Sequence, residues 1–356
     1  MAKKVGASKG KGWRVAGIVG GAVALGVGAA IAAERAVVVR DRRRLDPYKD
    51  EGYGELHGRS IGPVASFDGT LLNVEDAGRG PTLVLSHGFS LNLRLWHHQI
   101  KDLTADHRLV LYDHRGHGGS GMPPGDDFSL DALARDLHAV IRDAAPDERV
   151  VLVGHSMGGM AVLAYAGLFS KQIGEQVAGL VLVDTTAADV MDGILPYGIG
   201  RRAQAAFQAV QEGLFAALAG RPDRIDRLRS SGGDLHYVAT RLMGFGPDPS
   251  PAQVSFVDRM LSEASSYVWM KIVPEILALD VRDVLPAIDV PVMVIVGARD
   301  RLTPPGSAAR IVEVISDAEL VRLHDIGHTP MLEAHDAFNA HLRRFTARAL
   351  AHQDVR

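Results

Sequence analysis

The sequence predicts an α/β fold: a mostly parallel sheet covered on both faces by helices, with a long helical insertion in its second half. Three observations carry this. Short apolar runs recur at intervals, as "PTLVLSHGF" (Pro81–Phe89), "HRLVLYDHRG" (His107–Gly116), "RVVLVGHS" (Arg149–Ser156) and "VAGLVLVDTT" (Val177–Thr186). Stretches with helical character separate them, at Leu93–Leu103, Leu130–Ala144 and Met157–Phe169. The alternation stops at Thr186 and resumes with "VPVMVIVGARD" from Val290. The gap of roughly a hundred residues is too long and too helical for a loop.

Taken in order, residues 1–45 form a basic N-terminal segment enclosing an apolar run. Residues 46–186 hold the first part of the sheet domain, 187–286 the helical insertion and 287–356 the rest of the sheet. A polar linker around Asp46–Gly58 leads to "LLNVEDAG", a strand after the turn at Asp68-Gly69. The insertion includes "RRAQAAFQAVQEGLFAALAG" and a break at "GFGPDPSP". Its apolar residues (Phe207, Leu214, Phe215, Leu242, Met243, Phe245, Tyr267 and Trp269) exceed what a surface flap needs, so part of them are expected to line an apolar pocket. A helix (Gly306–Ile315), a strand (Glu319–Leu323) and a closing helix (His335–Ala351) complete the chain.

Composition narrows the function. Hydrophobic residues make up 47% of the 356 residues and charged residues 23%, which suits a sizeable core. The chain has no cysteine, which excludes disulfides, thiolate metal sites and a cysteine nucleophile. Ten of the 39 Lys and Arg residues but only two of the 42 acidic ones lie in residues 1–44, leaving 29 basic against 40 acidic residues beyond. So acidic a body does not suit a phosphate backbone, and no nucleic-acid partner is expected.

The run "VAGIVGGAVALGVGAAIAA", Val15–Ala33, is uncharged and would span roughly 28 Å as a helix, about one hydrocarbon core. It reads as an N-terminal transmembrane helix closed by Glu34-Arg35 and the basic Arg40–Arg44 cluster. The rival is a signal peptide cut near Ala30-Ile31-Ala32, and a buried soluble helix is a third reading. Both flanks carry five Lys or Arg, so charge bias leaves the orientation open.

The chemistry concentrates at "VVLVGHSMGG", Val150–Gly159. A buried strand turns sharply into a helix, and Ser156 sits on the turn between Gly154 and Gly158. Small flanking residues let neighbouring backbone pass, and a helix N-terminus beginning at Met157 favours developing negative charge. Such a turn is a nucleophile elbow. A serine nucleophile needs a base and the base an orienting acid. "VRLHDIGHTP" offers His328 in a loop past the last strand, with His324 nearer the strand itself. Asp300 and Asp184 each close a strand at the same edge, and both are candidates for the acid.

From about Gly62 onward the chain resembles an α/β-hydrolase with a helical cap, in the esterase and lipase-like branch. The resemblance implies Ser156 as nucleophile, Asp300 as acid and His328 as base. "SHGF" is similar to the family's oxyanion loop, which implies that the N–H groups of Phe89 and Met157 hold the oxyanion while His87 and Gly88 shape the turn. "DHRGHGGSG" matches a further family loop, in which Asp113 and Arg115 are structural. Members with aspartate at the elbow open epoxides or remove halides, and Ser156 argues against both. The expected activity is hydrolysis of a small-molecule ester or lipid without metal or cofactor. Rivals with the same residues are amide, thioester or carbon–carbon cleavage and haloperoxidase-like peracid formation; Trp96 resembles the last group, or simply packs. A non-catalytic binding protein on this fold is the rival from another class. The histidine pairs His97/His98 and His114/His117 lack metal-ligand spacing and read as solvated or turn residues.

Overall fold

A computed structural model of the chain describes residues 38–41, 43–190 and 233–351. Eight strands form one sheet in the order β1-β2-β4-β3-β5-β6-β7-β8. They are β1 (Arg59–Ala65), β2 (Leu71–Gly78), β3 (Thr82–Ser86), β4 (Arg108–Tyr112), β5 (Val150–His155), β6 (Val177–Val183), β7 (Val292–Gly297) and β8 (Ala318–Leu323). β1 and β2 pair antiparallel, β2 joins β4 antiparallel, and every other pairing is parallel. Strands β3, β5, β6 and β7 are buried at every residue, which is why their sequences run apolar without alternating. β1 escapes sequence reading. Gly62 at φ +89 and Pro63 sit where its register shifts, so a bulged edge strand resembles a turn.

Helices α1 (His97–Leu103), α2 (Leu130–Ala144) and α3 (Met157–Leu168) connect the first strands. Between β6 and β7 the described residues form α4 (Gly233–Gly244), α5 (Pro251–Glu263) and α6 (Ser266–Leu277). The break before α5 follows from its sequence: Pro251 opens the helix and the Ser250 side chain accepts from the Gln253 N–H. Helices α7 (Pro305–Val312) and α8 (His335–Ala351) close the chain. The first part of the insertion, with Phe207, Leu214 and Phe215, lies outside the described residues. So does the proposed transmembrane run Val15–Ala33. No helix among the described residues is long and apolar enough to cross a membrane.

A hydrophobic core fills each face of the sheet. One gathers β-strand residues with α2, α3 and α7; the other joins them to α1, α8 and the insertion. Trp96 is fully buried and stacks on Phe338, so it packs. The end of the N-terminal segment belongs to the second core. Val38 is buried there, and Asp41 accepts from the Tyr237 hydroxyl at 2.7 Å and pairs with Arg241 at 3.2 Å, both on α4. A cut at residue 45 would therefore remove packed chain.

Arg115 is wholly buried beneath the loop after β4. Its Nε and Nη2 donate to the two oxygens of Asp136 on α2, each at 2.6 Å, and its Nη1 to Asp68 and the Asp127 carbonyl. Removing one partner strands a buried charge. Asp136→Ala should lose about 3–5 kcal/mol in urea unfolding, whereas the double change Arg115→Met with Asp136→Leu should recover most of it.

Candidate active site

The site is built on the turn from β5 into α3. Ser156 takes φ +53 and ψ −118, a backbone state that L-residues rarely adopt. Its N–H donates to the Val183 carbonyl at 2.9 Å, and Thr185 Oγ1 donates to its carbonyl at 2.7 Å, so β6 holds the turn in place. Close backbone approach explains the flanking glycines. A Cβ on Gly158 would lie 2.2 Å from the Ser86 carbonyl oxygen, and one on Gly154 2.5 Å from that of Gly158. Among the described residues Ser156 Oγ has no hydrogen-bond partner. The residue lines a cavity of about 300 Å³, together with Gly88, Phe89, His155, Met243 and His328.

His328 follows β8 on a loop pinned from three directions. Its N–H donates to the Gly244 carbonyl at 3.0 Å, its carbonyl accepts from His155 Nε2 at 2.7 Å, and the Gly327 N–H donates to Glu333 at 3.0 Å. Glu333 also accepts from the Gly246 N–H, tying this loop to the insertion; burial pushes its carboxyl up to about 7. His328 Nδ1 lies 2.8 Å from Asp300 Oδ2 and donates to it, which leaves Nε2 to take up a proton. Asp300 is held in turn by the N–H groups of Leu302 and Thr303 and by the Thr303 hydroxyl. His324 is exposed and takes no part.

Asp184 stands beside this pair without binding His328. Its Oδ1 accepts from the Gly297 N–H at 2.8 Å, while Oδ2 finds no N–H or O–H donor among the described residues. Atoms of Asp184, Asp300 and His328 lie within 4.8 Å of one another. Two buried carboxylates so close cannot both ionise. Burial, then the neighbouring charge of Asp300, drives the Asp184 pKa well upward. Burial also raises Asp300, but His328, Thr303 and Asp184 outweigh it and hold Asp300 below the ordinary carboxylate value. Asp184 therefore keeps the proton and Asp300 the charge.

The second wall is the loop after β3. The N–H groups of Phe89 and Met157 have no acceptor among the described residues, so both are free to bind an oxygen of a ligand. Buried histidines shape this loop. His87 Nδ1 donates to the Gly88 carbonyl at 2.8 Å and its Nε2 accepts from the His114 N–H; His117 Nε2 accepts from the Ser90 N–H at 3.2 Å. A side chain at Gly88 would collide with His155, 2.8 Å away. Asp113 accepts from Leu93, Gly119 and Asn73, a scaffold role.

Of the two readings for these histidines, the solvated one is corrected, whereas the turn reading holds for His114 and His117, joined by a bond from the His117 N–H to the His114 carbonyl. His114 and His117 are buried around the loop, and His97 and His98 are buried against Glu51 and Tyr53. Glu51, His97 and His98 come close enough to hold a cation, but Lys101 already neutralises Glu51. Phe245, expected near a pocket, is instead buried in the core, while Met243 lines the cavity. Sequence reading weighed Asp184 as a rival acid but passed over His155 and Glu333 as partners, and His236 on the cavity wall; among those three, His155, adjacent to the serine within a buried strand, was the one visible signal.

Residues 81–335 match the model of the α/β-hydrolase fold family, and the chain belongs to that family. Among its relatives is a putative non-heme chloroperoxidase of Synechocystis sp., 31% identical over 69% of this chain and 84% of the relative. Lipase 3 of Moraxella sp. is 26% identical over 85% of this chain and 88% of its own length. Among solved structures, a thermophilic esterase from Thermogutta terrifontis shares the fold with a TM-score of 0.65 and 24% identity, covering 82% of this chain and 99% of that one.

The buried histidines make stability depend on pH. Burial lowers His87 and His117 to about 4, His155 to about 3, and His114 well below its ordinary value. The unfolded chain, with histidines near 6.5, thus binds more protons than the folded one below that pH. Stability is present in full above about 6.5 and is lost as pH falls toward 4, by about 1.4 kcal/mol per unit for each group. Thermal midpoints measured from pH 7.5 to 4.5 should fall steeply below 6.5, and His117→Gln should show a shallower slope.

Proposed function

We propose that this chain is a serine ester hydrolase working through an acyl-enzyme, with Ser156 as nucleophile, His328 as general base and Asp300 as its orienting acid. One observation carries the reading. Ser156, on a strained strand-to-helix turn, shares a cavity with an imidazole whose Nδ1 is tied to Asp300 at 2.8 Å. His328 takes the Ser156 proton as Oγ attacks the ester carbonyl, then hands it to the departing alkoxide. Water, deprotonated by the same imidazole, attacks the acyl-enzyme, and the acid is freed as the imidazole passes that proton back to Ser156 Oγ. The N–H groups of Phe89 and Met157 steady the oxyanion in both halves. No metal or cofactor enters these steps.

Ester as the bond and an apolar acyl group as the substrate are supported by the lipase relative and by the cavity's apolar residues, Leu91, Val257, Leu261 and Leu302. In this reading the insertion is a cap that selects substrates. A second reading follows from the chloroperoxidase relative: hydrogen peroxide replaces water as acyl acceptor and the product is a peracid. We further propose that Val15–Ala33 anchors the domain to a membrane, with Asp41 tying the chain just after that run to α4.

A fluorophosphonate probe should label wild type and not Ser156→Ala; an unlabelled wild type would mean a binding protein. On nitrophenyl esters, Ser156→Ala and His328→Ala should each lose about 10⁴-fold in kcat. Asp300→Asn should fall by a similar order while Asp184→Asn stays within several-fold, since the amide still donates to Asp300; the reverse ranking would make Asp184 the acid.

Each acyl methylene that fits should gain about 0.8 kcal/mol, so kcat/KM should climb about fourfold for each methylene added to acetate until the pocket is filled, and then flatten. Met243→Trp should shorten that optimum. EDTA should leave all these rates unchanged, and peroxide in place of water should yield peracid only under the second reading.

Full-length protein should sediment with membranes, and deletion of residues 1–37 should release active soluble enzyme. A mature N-terminus near Ala33 would replace the anchor with a cleaved signal.

A further inference from the structure

The cavity wall formed by α4 and α5 is apolar except at one place. His236, Ala239, Thr240 and Met243 project from one face of α4 toward the cavity, with Val257 and Leu261 from α5 beside them. His236 Nδ1 lies 2.5 Å from Asp258 Oδ1 on α5. Asp258 Oδ1 also accepts from the Thr240 hydroxyl at 3.0 Å, so the only other polar side chain on this described wall is already engaged. The Ser262 hydroxyl, 3.3 Å from Nδ1, spends its hydrogen on the Asp258 carbonyl at 2.7 Å. Nδ1 therefore meets only acceptors and must carry the proton. That fixes the tautomer and leaves the Nε2 lone pair of the neutral ring without a protein donor among the described residues. A polar atom held this firmly in an otherwise apolar wall weakens binding of plain hydrocarbon, because the hydrocarbon would strip it of water and return nothing.

Resting on the hydrolase reading above, we propose that His236 forms a polar subsite whose Nε2 accepts a hydrogen bond from a substrate hydroxyl remote from the scissile ester. The preferred substrates are then hydroxylated esters rather than simple alkyl ones. The hydroxyl can belong to the acyl chain or to the alcohol. Asp258, with Thr240 and Ser262 bonded to it, holds the ring in the tautomer that accepts.

The test compares kcat/KM for matched pairs in two arms. One arm sets nitrophenyl hydroxyhexanoates, with the hydroxyl moved along the chain, against nitrophenyl hexanoate. The other sets hexanoate esters of short diols against those of the matching simple alcohols. In wild type one hydroxyl position in one arm should raise kcat/KM about fivefold to tenfold over its unsubstituted partner, and that arm identifies the side of the ester. In His236→Phe the ratio should fall to about one; in His236→Gln, whose amide oxygen also accepts, it should recover in part. The ratio is read within each variant, so partial misfolding cancels. Ratios near one at every position in wild type, or a preference that survives His236→Phe, overturn the inference while leaving ester hydrolysis intact. With the matching carboxylate-bearing nitrophenyl ester added to the first arm, a preference for it over the hydroxyl-bearing chains, lost in His236→Phe, overturns the inference in favour of an anion subsite. If wild type cleaves no ester and the probe leaves Ser156 unlabelled, the hydrolase reading fails, and this inference with it.

Discussion

The left-handed backbone of Ser156 is the constraint on which the rest of the site depends. A serine gains nothing intrinsic from φ +53 and is held there only by its neighbours, at a cost of order 1–3 kcal/mol. Those neighbours are specific. β6 receives its N–H through Val183, Thr185 just past that strand grips its carbonyl, and the carbonyl of Ser86 comes so close to Gly158 that no side chain fits between. The parallel pairing of β3 with β5 and of β5 with β6 thus brings the Phe89 loop and the serine together. The same parallel order, continued through β7 and β8, delivers Asp184, Asp300 and His328 to one edge.

Around that geometry the interior controls charge. Four histidines near the serine are kept neutral by burial, so each serves as a fixed donor and acceptor rather than as a cation. The carboxylate pair divides its roles by the same logic. Asp300 has enough donors to remain ionised, and Asp184 has one, so the proton settles on Asp184. A neutral acid behind an ionised one supports the charge facing His328 without adding a second charge to a dry site.

The insertion does different physical work. Its described residues contribute to the second core through Tyr237, Phe245, Val254 and Phe256, and its helices lend the cavity a wall. Glu333 and the Gly244 carbonyl connect that wall to the His328 loop, so whatever seats against α4 acts on a segment bonded directly to the imidazole's backbone. The packed end of the N-terminal segment reaches the same helix through Asp41. The cavity wall, the His328 loop and the described end of the N-terminal segment therefore meet at α4.

Much of this was legible without coordinates, because the features concerned are local. Fully buried parallel strands need unbroken apolar runs, and a strand-to-helix turn with a positive φ needs glycines at close approaches; both leave marks within ten residues. His328 could be read as a loop histidine past a strand. Tertiary structure alone decided which aspartate touches it, since Asp184 and Asp300 end neighbouring strands in the same way and only packing sets which carboxyl faces the ring. It also decided that the histidines of the "DHRGHGG" loop are buried rather than solvated, and that Phe245 packs while Met243 lines the cavity. The pairing of His236 with Asp258 spans 22 residues and two helices. No pattern in sequence announces such a pair, because it arises only where two helix faces are pressed together over the same cavity.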